Sequence, residues 1–476
     1  MTDAAASPLC VDLDGTLVAT DLLAESMLLL VKRNPLYLIM LPVWLLRGRA
    51  CLKHEVARRV TLDASVLPYH ADVLSWLHEE RRGGRRIVLA TASDHALALR
   101  VADHLGLFAA VHASDGHANL KGPAKSALLV DRYGRRGFAY AGNSRADLSI
   151  WKQANAAIIV GGSQALAAQV AATTPVVRRF DAVSSHPARA QWRAMRPHQW
   201  VKNLLLFVPL VTAHQLTNMS ALGAAVCAFV AMCAASAAVY IVNDLFDLEA
   251  DRSHATKHSR PFASGNSPIW TGVLLAPTLV IAAFAIASTL PREFTSCLAI
   301  YLLATVVYSL RLKHVAIVDV LVLALLYTVR LIAGAAAITV PISAWLLAFS
   351  LFFFLSLALL KRFSEIDAAV REGGGPESVR GYRLDDRDAV GQFGVASGYL
   401  SILVMALYTN SRDVAALYAN PVWLWGFCPL LLYWISRIWL AAYRGDMHED
   451  PIMYAVRHVP SYLILTGLGA FMYLAI

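Results

Sequence analysis

Charged residues are scarce in this chain, at 16% of its 476 residues, and the mean hydropathy is +0.52. This composition indicates a membrane protein rather than a wholly soluble one. The six cysteines show no CxxC or other zinc-ligand spacing, so neither a zinc site nor a disulfide framework is expected. GxGxxG and P-loop sequences are also lacking. The net charge of +9 needs no nucleic acid to explain it, and we expect no nucleic-acid partner.

Apolar segments are concentrated after Trp200, where about nine are long enough to cross a lipid bilayer as helices. They lie near 203–219, 221–243, 270–289, 293–310, 316–338, 344–360, 393–410, 421–441 and 459–476. Lys and Arg fall mainly in alternate loops, as the positive-inside rule expects. The pattern therefore predicts an integral inner or plasma membrane protein. The N-terminal region and the loop at Asp244 would be cytoplasmic, and the C-terminus would face outward.

A run of carboxylates follows the apolar segment that ends at Val242, in the order Asn243-Asp244-x-x-Asp247-x-x-x-Asp251. If the helix continues past Asp244, its ~100° step per residue places the three carboxylates on one face. They repel one another unless a cation lies between them. Hard oxygen ligands suit Mg²⁺, which takes part of its shell from substrate phosphates. The motif therefore predicts a magnesium–diphosphate site, with a solvated acidic loop as the alternative.

A short apolar segment, Leu9-Cys10-Val11, leads into Asp12-Leu13-Asp14-Gly15-Thr16. A strand that ends in DxDGT resembles the first motif of the haloacid dehalogenase (HAD) phosphatase superfamily. The spacing suits phosphate transfer, because the carboxylate of Asp12 can attack phosphorus while Asp14, two residues on, protonates the leaving oxygen. We therefore expect residues 1–173 to form an α/β Rossmann-like HAD domain.

Three further stretches come in the order of that superfamily's motifs. The predicted strand 86–91 ends at Thr91, whose hydroxyl could bind a phosphate oxygen. Lys125 would offset charge on the aspartyl-phosphate, with Lys121 as the competing choice. Residues 142–147 resemble the motif GDxxxD, but Asn143 replaces its first Asp. The resemblance implies that Mg²⁺ is held by Asp12, Asp14, Asn143 and Asp147.

Residues 18–80 read as a helical cap on the HAD domain. The apolar run Leu36–Leu46 is too short to span a bilayer and is followed by Arg47-Gly48-Arg49. It could be a core helix, or a helix that lies on the bilayer with basic residues near the lipid headgroups. Residues 174–190 are the expected linker, because 174–187 are rich in Pro, Ser and Arg.

Residues 191–476 resemble the UbiA prenyltransferase superfamily of membrane enzymes. The aspartate run at 243–251 matches that family's first motif. Four further stretches, at 196–203, 260–265, 308–314 and 361–365, are closer to decaprenyl-phosphate phosphoribosyltransferases. The resemblance implies an all-α membrane domain of about nine transmembrane helices and a Mg²⁺ ion held by Asp244, Asp247 and Asp251. It implies substrate binding by Lys202, Asn243, Arg260, Tyr308, Lys313, Lys361 and Arg362. Of these, the candidates for holding phosphates are Lys202, Arg260, Lys313 and Lys361, and for each alone a role at lipid headgroups or in topology is the alternative.

The branch of this superfamily determines the substrates. Quinone-type members carry a second motif, DxxxD, whereas only Asp319 stands in a comparable place here, near Lys313 and His314. Basic residues around Asp319 fit phosphoribosyl diphosphate (PRPP) as donor and a polyprenyl phosphate as acceptor. The HAD domain would then remove the 5-phosphate of the product. Asp319 could equally be a charge at a helix N-terminus. The alternatives are an aromatic or quinone prenyltransferase that uses a prenyl diphosphate, and a HAD domain that is regulatory, since Asn143 lacks a charge.

Overall fold

The computed structural model describes residues 7–181, 187–254, 256–371, 380–411, 414, 417–447 and 451–476. The chain divides into two compact units. The first comprises Met1–Arg196 and Tyr240–Pro277, and the second comprises Pro197–Val239 and Thr278–Ile476. The acidic motif thus belongs to the same unit as the N-terminal residues. The sequence had placed it with the membrane helices.

A parallel six-stranded sheet forms the centre of the first unit. Its strands are β1 (Leu9–Val11), β2 (Ile87–Asp94), β3 (Ala110–Ser114), β4 (Ala139–Gly142), β5 (Ala156–Val160) and β6 (Val176–Phe180). The order across the sheet is β3-β2-β1-β4-β5-β6. Residues of β1 alternate between two apolar cores, with Leu9 and Val11 in one and Cys10 in the other. Because β1 pairs with both β2 and β4, the carboxyl ends of these three strands lie side by side.

Helices accompany the strands of this unit, which confirms the predicted α/β architecture. They are α1 (Leu22–Arg33), α2 (Tyr37–Leu46), α3 (Arg49–Ala57), α4 (Ala71–Arg82), α5 (His95–Leu105), α6 (Pro123–Tyr133), α7 (Leu148–Trp151), α8 (Gln164–Ala171) and α9 (Pro187–Ala194). The first three lie where the helical cap was predicted, and α4 begins there and ends just beyond it.

The first part of the predicted linker is a strand. β6 pairs in parallel with β5, and Phe180 at its end is buried. As the last strand of the sheet, β6 leaves Arg178 and Arg179 exposed, so its sequence is polar and resembles a linker. Residues 182–186 of the predicted linker lie outside the described residues.

The remaining helices follow Arg196, starting with a 3-10 helix at Pro197–Phe207. They are α10 (Val208–Thr212), α11 (Met219–Phe246), α12 (Leu248–Ser253), α13 (Ile269–Ala287), α14 (Arg292–Leu310), α15 (Val318–Ala337), α16 (Ala344–Arg371), α17 (Arg387–Thr409), α18 (Phe427–Arg444), α19 (Pro451–Arg457) and α20 (Val459–Ala475). Leu331, Phe354, Leu360, Phe363 and Trp439 are buried in one apolar core of the second unit.

Seven helices in the described part of the chain are long and apolar enough to cross a membrane, where nine spans were predicted. They are α11, α13, α14, α15, α16, α17 and α18. The predicted span 203–219 instead forms the end of the 3-10 helix and the short α10. The predicted span 459–476 is α20, which has 17 residues.

Candidate functional site

The carboxyl ends of β1 and β4 bring together a charged cluster in the first unit. Lys125 lies in the first turn of α6, and its ammonium donates to Asp12 Oδ1 at 2.8 Å and to the Tyr140 hydroxyl at 3.0 Å. The Lys125 side chain is only 3% exposed, whereas Lys121 is exposed. Burial raises the pKa of Asp12, and the positive charge of Lys125 opposes that rise. Of the two lysines, the structure therefore places Lys125 beside the predicted nucleophile.

Asp14 lies on the other side of the same loop and is held by two donors. Leu22 N, at the start of α1, donates to its Oδ1 at 2.9 Å, and the Ser93 hydroxyl donates to its Oδ2. Burial, reinforced by the negative charge of Asp21, raises the pKa of Asp14 to about 7. A carboxyl that binds and releases protons near neutral pH is suited to general acid–base work.

The loop after β4 is organised around Asp147. Its Oδ2 accepts hydrogen bonds from the backbone N of Asn143, at 3.2 Å, and from the backbone N and hydroxyl of Ser144. Its Oδ1 accepts from the Tyr140 hydroxyl at 3.0 Å. The side chain of Asn143 packs against Gly15, where a Cβ would lie 2.0 Å from Asn143 Nδ2. Gly15 has φ +72°, so this close approach and this conformation both require glycine.

The strand that carries Thr91 extends further than predicted, to Asp94. Thr91 is fully buried, and its Oγ1 accepts from Ser93 N at 3.0 Å. Ser93 is the hydroxyl that reaches Asp14. Sequence reasoning missed Ser93 because it stopped at the first hydroxyl after the apolar run. Tyr140 was also missed, because an aromatic residue inside a predicted buried strand is expected to be a core residue.

The acidic motif does not lie on one continuous helix. α11 ends at Phe246, and Asp247 is the N-cap of α12 with φ −105° and ψ 20°. Asp244 and Asp251 nevertheless come together, because Arg260 Nη1 lies 3.2 Å from Asp244 Oδ1 and 2.7 Å from Asp251 Oδ2. Arg196 makes a second ion pair with Asp244. Two buried carboxylates and two arginines thus form one network.

Asp247 points to a different partner, in the cap. Lys32, near the end of α1, donates to Phe246 O at 2.6 Å and to Asp247 Oδ1 at 3.2 Å. A second contact joins the same helices, since the buried Glu25 of α1 pairs with Arg252 of α12. The cap helix α1 therefore packs directly on the aspartate motif, which the sequence had assigned to another domain.

One oxygen of the arginine–aspartate network suits a cation. Asp244 is buried, and its Oδ2 has no hydrogen-bond partner among the described residues. Carboxylate oxygens of this kind are ligands that Mg²⁺ prefers. Within the same residues, no three His, Cys, Asp or Glu side chains are grouped so as to hold a metal by themselves. A magnesium ion at Asp244 would thus take further ligands from water and substrate phosphates.

Two predicted phosphate ligands of the second unit line one small cavity. Lys202, in the 3-10 helix, and Lys361, in α16, border a space of about 50 Å³ together with Leu323, Tyr327, Leu357, Ala358 and Pro451. The Lys202 ammonium lies 5.9 Å from the centre of the Tyr327 ring. The structure therefore joins two basic residues that are far apart in the sequence.

Arg362 is engaged within the protein. Its side chain is fully buried, its Nη2 lies 2.7 Å from Asp319 Oδ2, and it also pairs with Glu365. Asp319 Oδ1 accepts from the Tyr382 hydroxyl at 2.6 Å. Asp319 is the second residue of α15, so it is both a helix N-terminal charge and the partner of Arg362.

A buried arginine inside a membrane helix was missed by sequence reasoning. Arg330 of α15 donates to Asn203 Oδ1 at 2.9 Å, to Leu326 O at 2.7 Å and to the Tyr301 hydroxyl at 3.0 Å. Its guanidinium also lies 5.4 Å from the centre of the Tyr327 ring, which borders the cavity of Lys202 and Lys361. A charge within a membrane span is costly, so Arg330, in a candidate span, is a candidate functional residue. The sequence could have indicated this residue, because Arg330 is a single Arg within an apolar run.

The other predicted ligands lie at helix ends. Asn243 is in the last turn of α11, and its backbone O accepts from Asp247 N at 2.9 Å. Tyr308 is half-buried in the last turns of α14, and Lys313 follows in a 3-10 turn, Leu312–His314. Their roles in binding stay predictions.

Comparison with known proteins gives one family match. The model of the UbiA prenyltransferase family matches residues 204–459. An uncharacterised protein of Sinorhizobium fredii is 36% identical over 460 residues, which are 96% of this chain and 89% of that protein. Nodulation protein NoeC of Azorhizobium caulinodans is 35% identical over 284 residues, 60% of this chain and 92% of that protein. Decaprenyl-phosphate phosphoribosyltransferase of Mycolicibacterium smegmatis is 36% identical over 187 residues, 38% of this chain and 58% of that enzyme.

Two kinds of solved structure resemble parts of the chain. One is a UbiA homologue from Archaeoglobus fulgidus bound to DMAPP and Mg²⁺. Its alignment with this chain covers 60% of this chain and 99% of the homologue, at 15% identity and a TM-score of 0.47. The other is a substrate-bound phosphoserine phosphatase. Its alignment covers 37% of this chain and 93% of the phosphatase chain, at 14% identity and a TM-score of 0.27.

Proposed function

Because the chain belongs to the UbiA prenyltransferase family, we propose that it is a membrane transferase that moves 5-phosphoribose from PRPP to a polyprenyl phosphate. The proposal draws on relatives named decaprenyl-phosphate phosphoribosyltransferase, which are 32–37% identical over 185–187 residues. That similarity covers 38% of this chain, and the residues of the site supply the remaining support.

The arginine–aspartate network of the first unit carries the proposal. Asp244 and Asp251 hold Arg260, and Asp244 also holds Arg196, so cations and carboxylates alternate around one buried centre. Such a centre fits a ligand that brings both negative phosphates and a divalent cation. When bound, Mg²⁺ supplies charge neutralisation to the diphosphate. The arginines donate bidentate hydrogen bonds to phosphate oxygens, which fixes the donor's orientation.

The transfer reaction requires only that the two substrates are oriented and that the charge of the leaving pyrophosphate is neutralised. The bond between the anomeric carbon of ribose and pyrophosphate breaks, and pyrophosphate keeps the electron pair. An oxygen of the polyprenyl phosphate forms the new bond to that carbon. Since this oxygen is already anionic, no strong general base is needed. Lys202 and Lys361, which border one cavity with Tyr327, are the candidates for binding the acceptor phosphate.

We propose that the HAD domain then removes the 5-phosphate of the product. Asp12, held by Lys125, attacks phosphorus, and the bond from phosphorus to the ribose 5-oxygen breaks as Asp14, whose pKa is raised to about 7, protonates that oxygen. Water then cleaves the aspartyl-phosphate, which releases inorganic phosphate and frees Asp12. Mg²⁺ held by Asp12, Asp14, Asn143 and Asp147 would supply further charge neutralisation when bound. Asp147 binds the backbone of its own loop, so it also keeps that loop in place.

The nine-span topology is part of the proposal. The contact between Lys32 and Asp247 supports a topology in which the N-terminal residues and the acidic loop lie on the same side of the membrane. The chain between them must then cross an even number of times. The 11 residues of the 3-10 helix rise about 22 Å and the five of α10 about 7.5 Å. Together they match the ~30 Å apolar thickness of a bilayer, and α11 supplies the return. The loop charges favour the cytoplasm as that side.

The test uses the full chain in vesicles with Mg²⁺, labelled PRPP and polyprenyl phosphate, and mass spectrometry of the lipid products. Asp244→Asn should abolish pyrophosphate release, and the exposed acid control Glu293→Gln should not. Asp12→Asn should leave transfer intact and accumulate lipid-linked 5-phosphoribose, because a neutral amide cannot act as the attacking carboxylate. The exposed control Asp72→Asn should proceed to lipid-linked ribose.

Each assignment has its own refuting result. Normal turnover in Asp244→Asn would remove that carboxylate from the reaction. The same phosphorylated product from wild type and Asp12→Asn would make the HAD domain regulatory. Failure of the wild type to ribosylate any lipid, with transfer from a prenyl diphosphate to an aromatic acceptor instead, would establish the prenyltransferase alternative.

A further inference from the structure

The cap of the N-terminal unit carries an apolar helix with an uncovered face. α2 packs Tyr37, Leu41 and Trp44 against the small core of α1 and α3, at the i, i+4, i+7 spacing of one helix face. Its other face is also apolar, with Ile39 70% exposed and Leu46 89% exposed. A core helix, one of the two readings of this run, would have both faces covered. A surface helix of a soluble domain would have a polar outer face.

Contacts of the preceding helix bring α2 close to the ends of two candidate membrane spans. The N-cap of α1, Asp21, accepts through its Oδ2 from Trp270 Nε1 at 3.2 Å, in the first turn of the candidate span α13. At the other end of α1, Lys32 donates to the backbone O of Phe246, the last residue of the candidate span α11. Both ends of α1 therefore touch the ends of membrane spans. α2 begins at Tyr37, five residues after Lys32, so it starts close to the same boundary.

The charges around α2 match a membrane surface. Residues 32–53 contain no Asp or Glu, and their five basic residues are Lys32, Arg33, Arg47, Arg49 and Lys53. Arg33 precedes α2 and Arg47 and Arg49 follow it, and all three are exposed. Cations at both ends of an apolar helix complement the anionic phosphates of lipid headgroups.

We propose that α2 is an interfacial helix that lies in the cytoplasmic leaflet of the bilayer, with the face of Ile39 and Leu46 among the acyl chains. Its 10 residues measure about 15 Å, half of what a span requires, so it lies along the surface and does not cross. It holds the cap, and the loop of Asp14 that is bonded to the start of α1, at the depth of lipid headgroups. This inference depends on the membrane helices of the chain and not on the transfer reaction.

Photo-crosslinking of the full chain tests the contact directly. The protein is reconstituted in vesicles of phosphatidylcholine with a minor fraction of phosphatidylglycerol, with benzoylphenylalanine in place of Ile39 or Leu46. The matched control has the same probe in place of Val177, which is 65% exposed on β6. Lipid adducts should form several-fold more at positions 39 and 46 than at 177. In detergent-free vesicles, Ile39→Glu should reduce the adduct at 46 several-fold, because a carboxylate is costly among acyl chains. Val177→Glu should leave that adduct unchanged.

Two results would overturn the proposal. Equal lipid adducts at 39, 46 and 177 would show that α2 faces water. A protein–protein adduct in place of the lipid adduct would show that a second copy of the chain covers this face. Both results leave the phosphoribosyl assay unaffected, so a failure here is distinct from a failure of the proposed function.

Discussion

The ion pair between Glu25 and Arg252 is the sharpest test of how the cap joins the aspartate motif. Both side chains are buried, at 3% and 6% exposed, and Arg252 Nε also donates to Ala263 O at 2.9 Å. Removing one partner leaves the other charge buried without its counter-ion, which costs about 3–5 kcal/mol. A unit of roughly 150–250 residues loses about 2–4 °C of its melting midpoint per kcal/mol. We therefore expect Glu25→Ala to lower the midpoint of the first unit by about 6–20 °C.

The assay should report on the first unit alone. Cys10 is fully buried in β1, so its labelling by a thiol reagent, read by mass spectrometry as temperature rises, follows unfolding of that unit. Glu25→Gln should cost less than Glu25→Ala, because its amide oxygen still accepts a hydrogen bond. The double variant with Arg252→Ala should cost less than the sum of the single variants, as expected for coupled residues. Arg58→Ala is the control, because the Arg58 side chain is 62% exposed and an ion pair at the surface contributes little. A midpoint unchanged by Glu25→Ala, or strictly additive losses, would refute the buried contact.

Two further predictions concern the membrane helices. Gly334→Ala should lower the temperature at which transfer activity is lost, because its Cβ would lie 2.2 Å from the backbone O of Leu206. Gly223→Ala, with nothing within 4 Å of its Cβ, should be neutral or stabilising, and equal losses in both variants would contradict this argument. Reporter fusions after Asn218 and at Ile476 should be found outside the cytoplasm, and a cytoplasmic C-terminus would refute the nine-span count.

Local patterns were enough for the strands and for part of the first site. Leu9-Cys10-Val11 is a buried strand because both faces of a central parallel strand are covered, and Asp12 follows at its carboxyl end. The spacing of Asp12 and Asp14 was also sufficient to place them in one loop. The choice between Lys125 and Lys121 was not available from the sequence. Lys121 precedes α6 and is exposed, whereas Lys125, in the first turn of α6, is buried beside Asp12, and only the packed structure determines that.

The arrangement of the acidic motif could not be predicted from its sequence spacing. Helical spacing predicted three carboxylates on one face, but the helix breaks at Asp247, and that residue turns toward Lys32. Asp244 and Asp251 meet through Arg260, which no periodicity links to them.

What the sequence by itself determined was the set of elements whose cause is local: apolar runs of spanning length, a parallel α/β pattern and acidic motifs at element ends. The tertiary structure decided which partners each charge has. A buried charge needs a counter-charge or a set of donors, and these come from distant parts of the chain, as Arg330 finds Asn203 and Glu25 finds Arg252. It also decided that α2 leaves its second apolar face uncovered, because solvent exposure is a property of the packed chain and not of the residue.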